Sequence, residues 1–511
     1  MKRIRDLREY IACLTELGEI QEIHREVDLD LEVGAIIRRS YDLRAPAPLF
    51  NSLRQTDAGF RILGAPAGVS DQPGLYLARI ALSLGLDPKA SGSEIVESMA
   101  DALGRPGIKP RRVESAPCKE VRMSGDDVDL SRLPIPLIHG GDGGRYLNTF
   151  GLNVVRTPDG SWTNWSINRM MVVDRNHLTG TLSFNQHIGM IHAKWRELDR
   201  PMPIAIALGV EPALPFLAGG MPLPSRVDEA DLVGAYFGEA VDVVRCESVE
   251  MDVPASAEIV VEGLVSPTDK VPEGPMSEYP GYQFPGANTP KPLIEITAVT
   301  HRHNPILPVV CAGPPVEEDH TAWGIPHAAQ TLHDLRRFEL PIAGAWLPFE
   351  GANHWMVIAV QSGWRKLDRF SHYTGRQLAA RIGRIVFETK SGMDVPRILV
   401  VEDDIDITST AEVVWAFATR CHPNSGEIYI GEEEMMILPV FLGPDEKKLN
   451  YTTKVVHNCL TRDDWPEGKV PLPATFEQGW PADIQARVLS NWTAYGYPPP
   501  PPGRTKRWGP S

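Results

Sequence analysis

The apolar positions of the chain change period as it proceeds. Over residues 6–17 they recur at Leu7, Ile11 and Leu14 and stop at Gly18, which predicts an amphipathic helix with a glycine stop. An α/β segment to about residue 115 follows. From "LPIPLIHGGDGGRYLNTFGLNVVRTPDGSW" through "EIVVEGLVSP" and "PLIEITAVTHRHNPILPVV", short β-rich runs are separated by Gly, Pro and Asp-Gly turns. This middle third predicts an antiparallel sheet or barrel. Beyond about residue 316 the period returns to helical: "GRQLAARIGRIVFETKSG" sets Leu378, Ile382, Ile385 and Val386 on one face before Lys390 and Gly392. "RILVV" then reads as a buried strand, and "STAEVVWAFATR" opens a helix with Ser409 and Glu412 at capping-box spacing. That alternation indicates an α/β domain. The final "GYPPPPPGRTKRWGPS" reads as an extended, disordered polyproline tail.

At 511 residues the chain exceeds the size at which one core keeps growing, so two or three domains are expected. A formal charge of -15 with no long basic run argues against nucleic acid as the main partner. The longest apolar region, residues 201–224, is interrupted by prolines and Glu211, so no membrane span is expected. "MKRIRDLREYIACL" is charged throughout and lacks an apolar signal core, and a cytoplasmic protein is expected. Cys13, Cys118, Cys246, Cys311, Cys421 and Cys459 stand singly without CxxC spacing, which predicts mostly buried, inert thiols. Neither HExxH, a Walker loop, GxGxxG nor GxSxG occurs.

Candidate chemistry begins at "KVPEGPMSEYPGYQFPG", which sets Glu273 and Glu278 five positions apart among prolines and glycines. Pro275 opposes a helix, and a straight strand would send the two acids to opposite faces, so the segment must turn. A solvated surface loop and a pair of acids with separated pKa values both remain open. In "SWTNWSINRMM", Asn164, Ser166, Asn168 and Arg169 form a dense polar set; a half-exposed strand explains it as well as a site does. With His187 and Glu229 downstream, Asn164 completes an oxygen and nitrogen set suited to Mn²⁺ or Mg²⁺, without the thiolates of structural zinc. The acidic run "EDDIDI" at 402–407 is better read as structural and helix-dipole charge than as a metal site.

Taken together and in order, "RILGAP", "LPIPLIHGGDGGRY", "TNWSINR", "NQHIG", "GGMPLPSRVDEADLVGA", "PEGPMSEYPGY" and "ILVVEDDIDI…VVWAFATR" closely resemble the UbiD family of decarboxylases over about residues 6–497. The resemblance implies a multidomain α+β and α/β fold: an N-terminal α/β segment (1–115), a central split β-barrel that binds flavin (116–315), a C-terminal α/β domain used for oligomerisation (316–485), and a C-terminal helix with a Pro-rich tail (486–511). It implies prenylated FMN as cofactor, supplied by a flavin prenyltransferase, and reversible loss of CO₂ from an aromatic or heteroaromatic acid. Asn164, His187 and Glu229 match the family's Mn²⁺ ligands. Trp165, Ala218, Gly219, Met221 and Glu229 match its K⁺ site, although residues 219 and 220 are both Gly where members often have Ser. Cofactor contacts are implied for Asn164, Trp165, Ser166, Ile167, Asn168, Arg169, Gln186, His187, Met221, Glu229 and Lys390. Lys390 could instead serve only as a cation near a helix C-terminus.

Glu273, Arg169 and Glu278 match the family's catalytic Glu-Arg-Glu network. Arg169 is expected to bond the substrate carboxylate and Glu273, with Glu278 lying away from Arg169 in an apolar site that keeps it protonated as proton donor. Because a strict strand would split Asn164 from Arg169, a bulge or turn between them is required. Ser183, Gln186, Tyr279, Asp319 and Trp323 are implied to line the substrate pocket, unless Asp319 caps the following helix instead. A homodimer or larger homo-oligomer is implied. The alternatives are a hydroxybenzoate or cinnamic-type decarboxylase of the same family, a non-catalytic flavin-binding homologue, and an ordinary FMN reductase, which the acid pair does not support.

Overall fold

The computed structural model of the chain describes residues 2–498 apart from 436–437 and 467, so most of the polyproline run lies outside the described residues. The first helix, Leu7–Glu16, forms where the period predicts it: Asp6 caps it by accepting from the Glu9 amide at 2.8 Å, and Gly18 follows at φ +74°. Its buried residues Leu7, Tyr10 and Leu14 join Ala47, Leu49, Leu63 and Ile306 in one apolar cluster. They seal a four-stranded sheet ordered Ile20–Ile23, Ala47–Phe50, Arg61–Gly64, Ile306–Val309. The last strand arrives from far along the chain and pairs parallel with Arg61–Gly64.

The middle of the chain builds a nine-stranded sheet in which neighbours run antiparallel. Its path is Tyr146–Asn148, Met170–Val172, His177–Gly180, Thr289–His301, Ile259–Glu273, Met202–Leu208, Leu152–Arg156, Thr163–Ser166, with Val121–Ser124 added beside Thr289–His301. The two end strands of that path do not pair with each other among the described residues, so the sheet remains a curled half-barrel. Strand alternation buries both faces. Val154, Ala205, Ala207 and Val260 enter one core cluster, while Val155, Ile204, Ile206, Ile259 and Val261 enter another.

The C-terminal part is a mixed five-stranded sheet, ordered Ile342–Trp346, Trp355–Val360, Arg397–Glu402, Tyr451–Asn458, Glu427–Glu434. Helix Gly375–Phe387 buries Leu378, Ile382 and Val386, while Ile385 is only half-buried; Thr374 and Gln377 close its capping box. Helix Thr410–Arg420 takes half of the box predicted for it: Ser409 accepts from the Glu412 amide at 3.4 Å, but the Glu412 carboxylate accepts from the Asp406 amide at 2.9 Å. Among the described residues no helix is long and apolar enough to cross a membrane.

Candidate active site

Strand Thr163–Ser166 stops and Met170–Val172 starts, leaving residues 167–169 outside the ladder, which is the turn that the spacing of Asn164 and Arg169 requires. Two buried amides hold it: Asn148 and Asn153 donate to the Asn168 carbonyl at 3.1 and 2.9 Å. Ser166 Oγ adds a bond to Asn168 Oδ1 at 2.9 Å. A Cβ on Gly180 would come within 2.7 Å of the Arg169 carbonyl, so the neighbouring strand needs glycine there.

From this turn Arg169 reaches both acids. Its Nε donates to Glu273 Oε1 at 3.0 Å, its Nη2 to Oε2 at 3.3 Å, and its Nη1 to Glu278. Glu273 is buried and also accepts from Tyr146 Oη at 2.9 Å and Thr181 Oγ1 at 3.2 Å. Both oxygens are therefore fully engaged, as a buried carboxylate demands. The two acids meet because strand Ile259–Glu273 ends at the first, Gly274 turns at φ +88°, and Ser277–Glu278 pairs with Tyr282–Gln283 in a small hairpin. The expectation that Glu278 sits away from Arg169 is corrected: the guanidinium holds it directly. Burial nevertheless dominates, lifting the Glu278 carboxyl above its ordinary range against the pull of Arg169. Burial works against the Arg169 charge, but Glu278 and Glu273 more than compensate and keep it cationic.

The hairpin has an anchor that sequence reasoning missed. Asp142 accepts from the His139 amide at 3.0 Å, from His139 Nδ1 at 3.0 Å, from the Ser277 amide at 3.3 Å and from Gln283 Nε2 at 3.5 Å. It thus grips both strands of the segment that carries Glu278. His139 Nε2 lies 3.1 Å from Cys311 Sγ. Burial would lower this imidazole, but its bonds to Asp142 and Cys311 carry it up to about 10. The signal was "IHGGDGG", where a His and an Asp three residues apart bracket the turn.

A second cluster stands at the end of strand Thr163–Ser166. Asn164 Nδ2 donates to Glu229 Oε1 at 2.8 Å, the Trp165 amide donates to Glu229 Oε2 at 2.9 Å, and His187 Nδ1 lies 3.2 Å from Glu229 Oε1. Helix positions explain the meeting, since His187 and Glu229 each begin a helix, His187–Glu197 and Glu229–Phe237. Lys390 Nζ closes the cluster 3.1 Å from His187 Nε2. It stands beyond helix Gly375–Phe387 in the following turn and points at this cluster, so a pure helix-end role is not what the geometry offers. Burial brings the Lys390 ammonium down to about 8.

Asn164 Oδ1 is buried and has no hydrogen-bond partner. An orphaned amide oxygen beside an imidazole and a carboxylate fits a hard divalent cation, and the adjacent ammonium fits the phosphate of a cofactor. Among the described residues no three His, Cys, Asp or Glu side chains converge on a metal position, and here the amide supplies the third donor. The Gly219–Gly220 pair has a steric reason: a Cβ would lie 2.6 Å from Ile167 Cγ1 at the first and 1.9 Å from the Ala322 carbonyl oxygen at the second. Only backbone can serve a ligand there. Ala218 and Met221 flank the pair and are buried. The acidic run at 402–407 is occupied by arginines, with Arg365 on Glu402 at 3.3 Å and Arg420 on Asp404 at 2.9 Å.

The remaining expected residues divide. Tyr279 stacks near-parallel to Trp323, with ring centroids 6.4 Å apart, and to His354 at 5.9 Å. Trp323 in turn lies 3.5 Å from the ring of His327. Asp319 opens the turn Asp319–Trp323 without a side-chain cap; its own amide donates to Glu317 Oε2 at 2.7 Å. Burial raises the Asp319 carboxyl well above its ordinary range, with Glu317 adding to the effect. Gln186 precedes helix His187–Glu197 without capping it, and its amide hydrogen bonds to the Ser183 carbonyl at 3.0 Å. A Cβ on Gly189 would meet that carbonyl at 2.0 Å, which is the physical content of the glycine in "NQHIG".

An arginine shared by two acids, beside a cradle of amide, imidazole, carboxylate and ammonium, is the equipment of an enzyme that grips an anion and moves a proton. Descriptions of 3-octaprenyl-4-hydroxybenzoate carboxy-lyase account for nearly the whole chain: its N-terminal domain matches residues 11–99, its Rift-related domain 111–315 and its C-terminal domain 320–459. The chain belongs to the UbiD family of carboxy-lyases. It is 40% identical over 492 residues to a pyrrole-2-carboxylic acid decarboxylase of Pseudomonas aeruginosa, covering 96% of this chain and 98% of that one. It is 38% identical to ferulic acid decarboxylase 1 of Saccharomyces cerevisiae, again over 96% and 98%. Among solved structures it resembles the UbiD-class enzyme HmfF of Pelotomaculum thermopropionicum in complex with FMN, at 26% identity and TM-score 0.76 over 92% of this chain and 98% of that one. An evolved dimeric form of HmfF holding prenylated FMN gives 25% identity and TM-score 0.75 over 94% and 100%.

Proposed function

We propose that the chain decarboxylates a planar heteroaromatic acid of the pyrrole or indole type with prenylated FMN, Mn²⁺ and K⁺. The observation that carries this reading is the Glu273–Arg169–Glu278 network, in which one guanidinium serves a buried carboxylate and a carboxyl that burial lifts above its ordinary range. Asn164, His187 and Glu229 would hold the divalent ion, and Lys390 the cofactor phosphate. Trp165, Ala218, Gly219 and Met221, with Glu229, would hold the monovalent one. Bound prenylated FMN supplies the electron sink that lets CO₂ leave an sp² carbon.

The chain's own residues do the rest. Glu273, fixed by Tyr146 and Thr181, orients Arg169, and Arg169 binds the substrate carboxylate. When CO₂ has gone, Glu278 Oε delivers its proton to the vacated carbon and is recharged from solvent. Asp319, whose carboxyl burial raises, offers an acceptor oxygen to a ring N–H, and leaving it unpaired would cost about 1–3 kcal/mol. Tyr279 and Trp323 supply flat aromatic surface for a ring.

The pyrrole-acid relative at 40% identity favours this class, and the ferulic acid relative at 38% keeps cinnamic acids as the third reading. Hydroxybenzoic acids stand between them. The enzyme is expected in the cytoplasm as a homo-oligomer, with a flavin prenyltransferase as cofactor source. The test is turnover of pyrrole-2-carboxylate, indole-3-carboxylate, 4-hydroxybenzoate and cinnamate by protein co-expressed with such a transferase. Preference for the first two is expected. Clear preference for cinnamate would reverse the ranking, and full activity with plain FMN would remove the cofactor assignment.

A further inference from the structure

The cysteines are scattered in sequence, yet the fold brings two together. Helix Thr410–Arg420 ends at Cys421, whose amide donates to the Phe417 carbonyl at 3.2 Å. The chain then folds back, with the Gly426 amide on the His422 carbonyl and the Asn458 amide on the Gly426 carbonyl, both at 2.8 Å. A Cβ on Gly426 would stand 2.9 Å from Cys421 Sγ, so glycine leaves the sulfur its place. After Asn458 comes Cys459, buried, its amide fixed on the Val400 carbonyl at 2.9 Å. Phe417 lies one helical turn before Cys421, and Cys459 lies two residues past His457 on the same side of its strand, so the packing of His457 on Phe417 brings the two thiols together. The His457 ring meets Phe417 edge-on at 5.0 Å, which fixes its plane. These residues belong to none of the groups at the candidate active site.

We propose that Cys421 and Cys459 are an oxidisable dithiol which a hydroperoxide closes to a disulfide. Cys421 is half-buried and reachable by a small oxidant, whereas Cys459 is enclosed. The neighbouring Cys459, helped by His457, holds the Cys421 thiol below its ordinary range against burial, while Cys459 is pushed up. Cys421 is therefore the attacking thiolate. Its sulfur takes the terminal oxygen of the hydroperoxide, breaking the O–O bond, giving a sulfenic acid and releasing the alcohol after protonation. The Cys459 thiol then attacks that sulfur and water leaves. Two thiols lose two electrons and two protons in all, and one hydroperoxide becomes an alcohol and water. Cys118 and Cys246, whose thiols burial raises, have no such activation.

The experiment is a titration of the reduced full chain with tert-butyl hydroperoxide, followed by alkylation and peptide mass mapping. Near one equivalent, the protein is expected to lose two hydrogen masses and to yield a peptide pair cross-linked through Cys421 and Cys459, with the other cysteines still alkylated. In Cys459→Ser a dimedone adduct should appear on Cys421, and in Cys421→Ser neither adduct nor cross-link should form at the same dose. Free, alkylatable Cys421 in the treated wild-type protein overturns the proposal, as does equal or faster oxidation of any other cysteine. The wild-type measurement decides the question even if a variant fails to fold.

Discussion

Arg169 is bonded to Glu273 and Glu278 at once, and the two acids differ in surroundings: Glu273 is buried with four donated bonds from Tyr146, Thr181 and Arg169, while Glu278 is half-buried with the guanidinium. Glu278→Gln should keep the cofactor, lose decarboxylation by roughly 10²–10⁴-fold and lose solvent-deuterium incorporation into product. Unchanged exchange would move the proton donor elsewhere. Because burial raises the Glu278 carboxyl and catalysis needs it protonated, kcat should fall as pH climbs through that raised value. A pH–rate profile on the reconstituted enzyme reads that limb directly. Asp394 gives a second titration. It is buried, its Oδ1 is unpartnered, and burial moves its carboxyl from the ordinary 3.8 to about 6. Below the ordinary value both folded and unfolded chains are protonated and the group is neutral to stability; above the raised value the folded chain bears a buried charge, a loss of about 3 kcal/mol. Asp394→Asn in the cofactor-free protein should therefore raise Tm at pH 8 and leave it unchanged near pH 4, as thermal melts at both pH values would report.

At the scale of elements, the hairpin bearing Glu278 depends on Asp142, which bonds a backbone amide in one strand and a side chain in the other. Asp142→Asn replaces one of the two acceptor oxygens with a donor and should lower kcat about tenfold or more with a smaller change in KM, since the hairpin would hold Glu278 less well. Stopped turnover with an unchanged melting temperature separates this from general unfolding. Sequence periodicity was enough for the helices Leu7–Glu16 and Gly375–Phe387, because their buried faces repeat locally and their caps lie beside them. The turn at 167–169 was legible from the opposed faces of Asn164 and Arg169. Its clamp by Asn148 and Asn153 was not, because a polar residue in a β-run looks the same whether it faces solvent or a carbonyl. The contact between Glu278 and Arg169 was misjudged for a related reason: the hairpin turns a second time at Gly281, and local spacing carries no information about where that second turn points. The cysteine pair was invisible, since its members sit at the ends of a helix and a strand that only sheet order makes neighbours.

For the whole molecule, composition and charge delimited the class, but the position of the C-terminal arm needed coordinates. Helix Ala482–Ser490 buries none of its side chains, and Leu472, Trp480 and Leu489 are 80%, 51% and 63% exposed. Large apolar side chains left in solvent along one arm are suited to a second copy. A chain ending at Asp464 should keep its melting temperature within a few degrees and shift to monomer in light scattering; an unchanged oligomer would assign the contact to another face. The strand Ile306–Val309 has a different kind of consequence. It completes a sheet whose other three strands are all finished by Gly64. A ribosome adding about 5–20 residues each second needs roughly 12 to 48 seconds to travel the intervening 240 or so residues. Throughout that interval the emerging N-terminal strands present an unpaired edge at Arg61–Gly64, open to any other strand until Ile306–Val309 has been made.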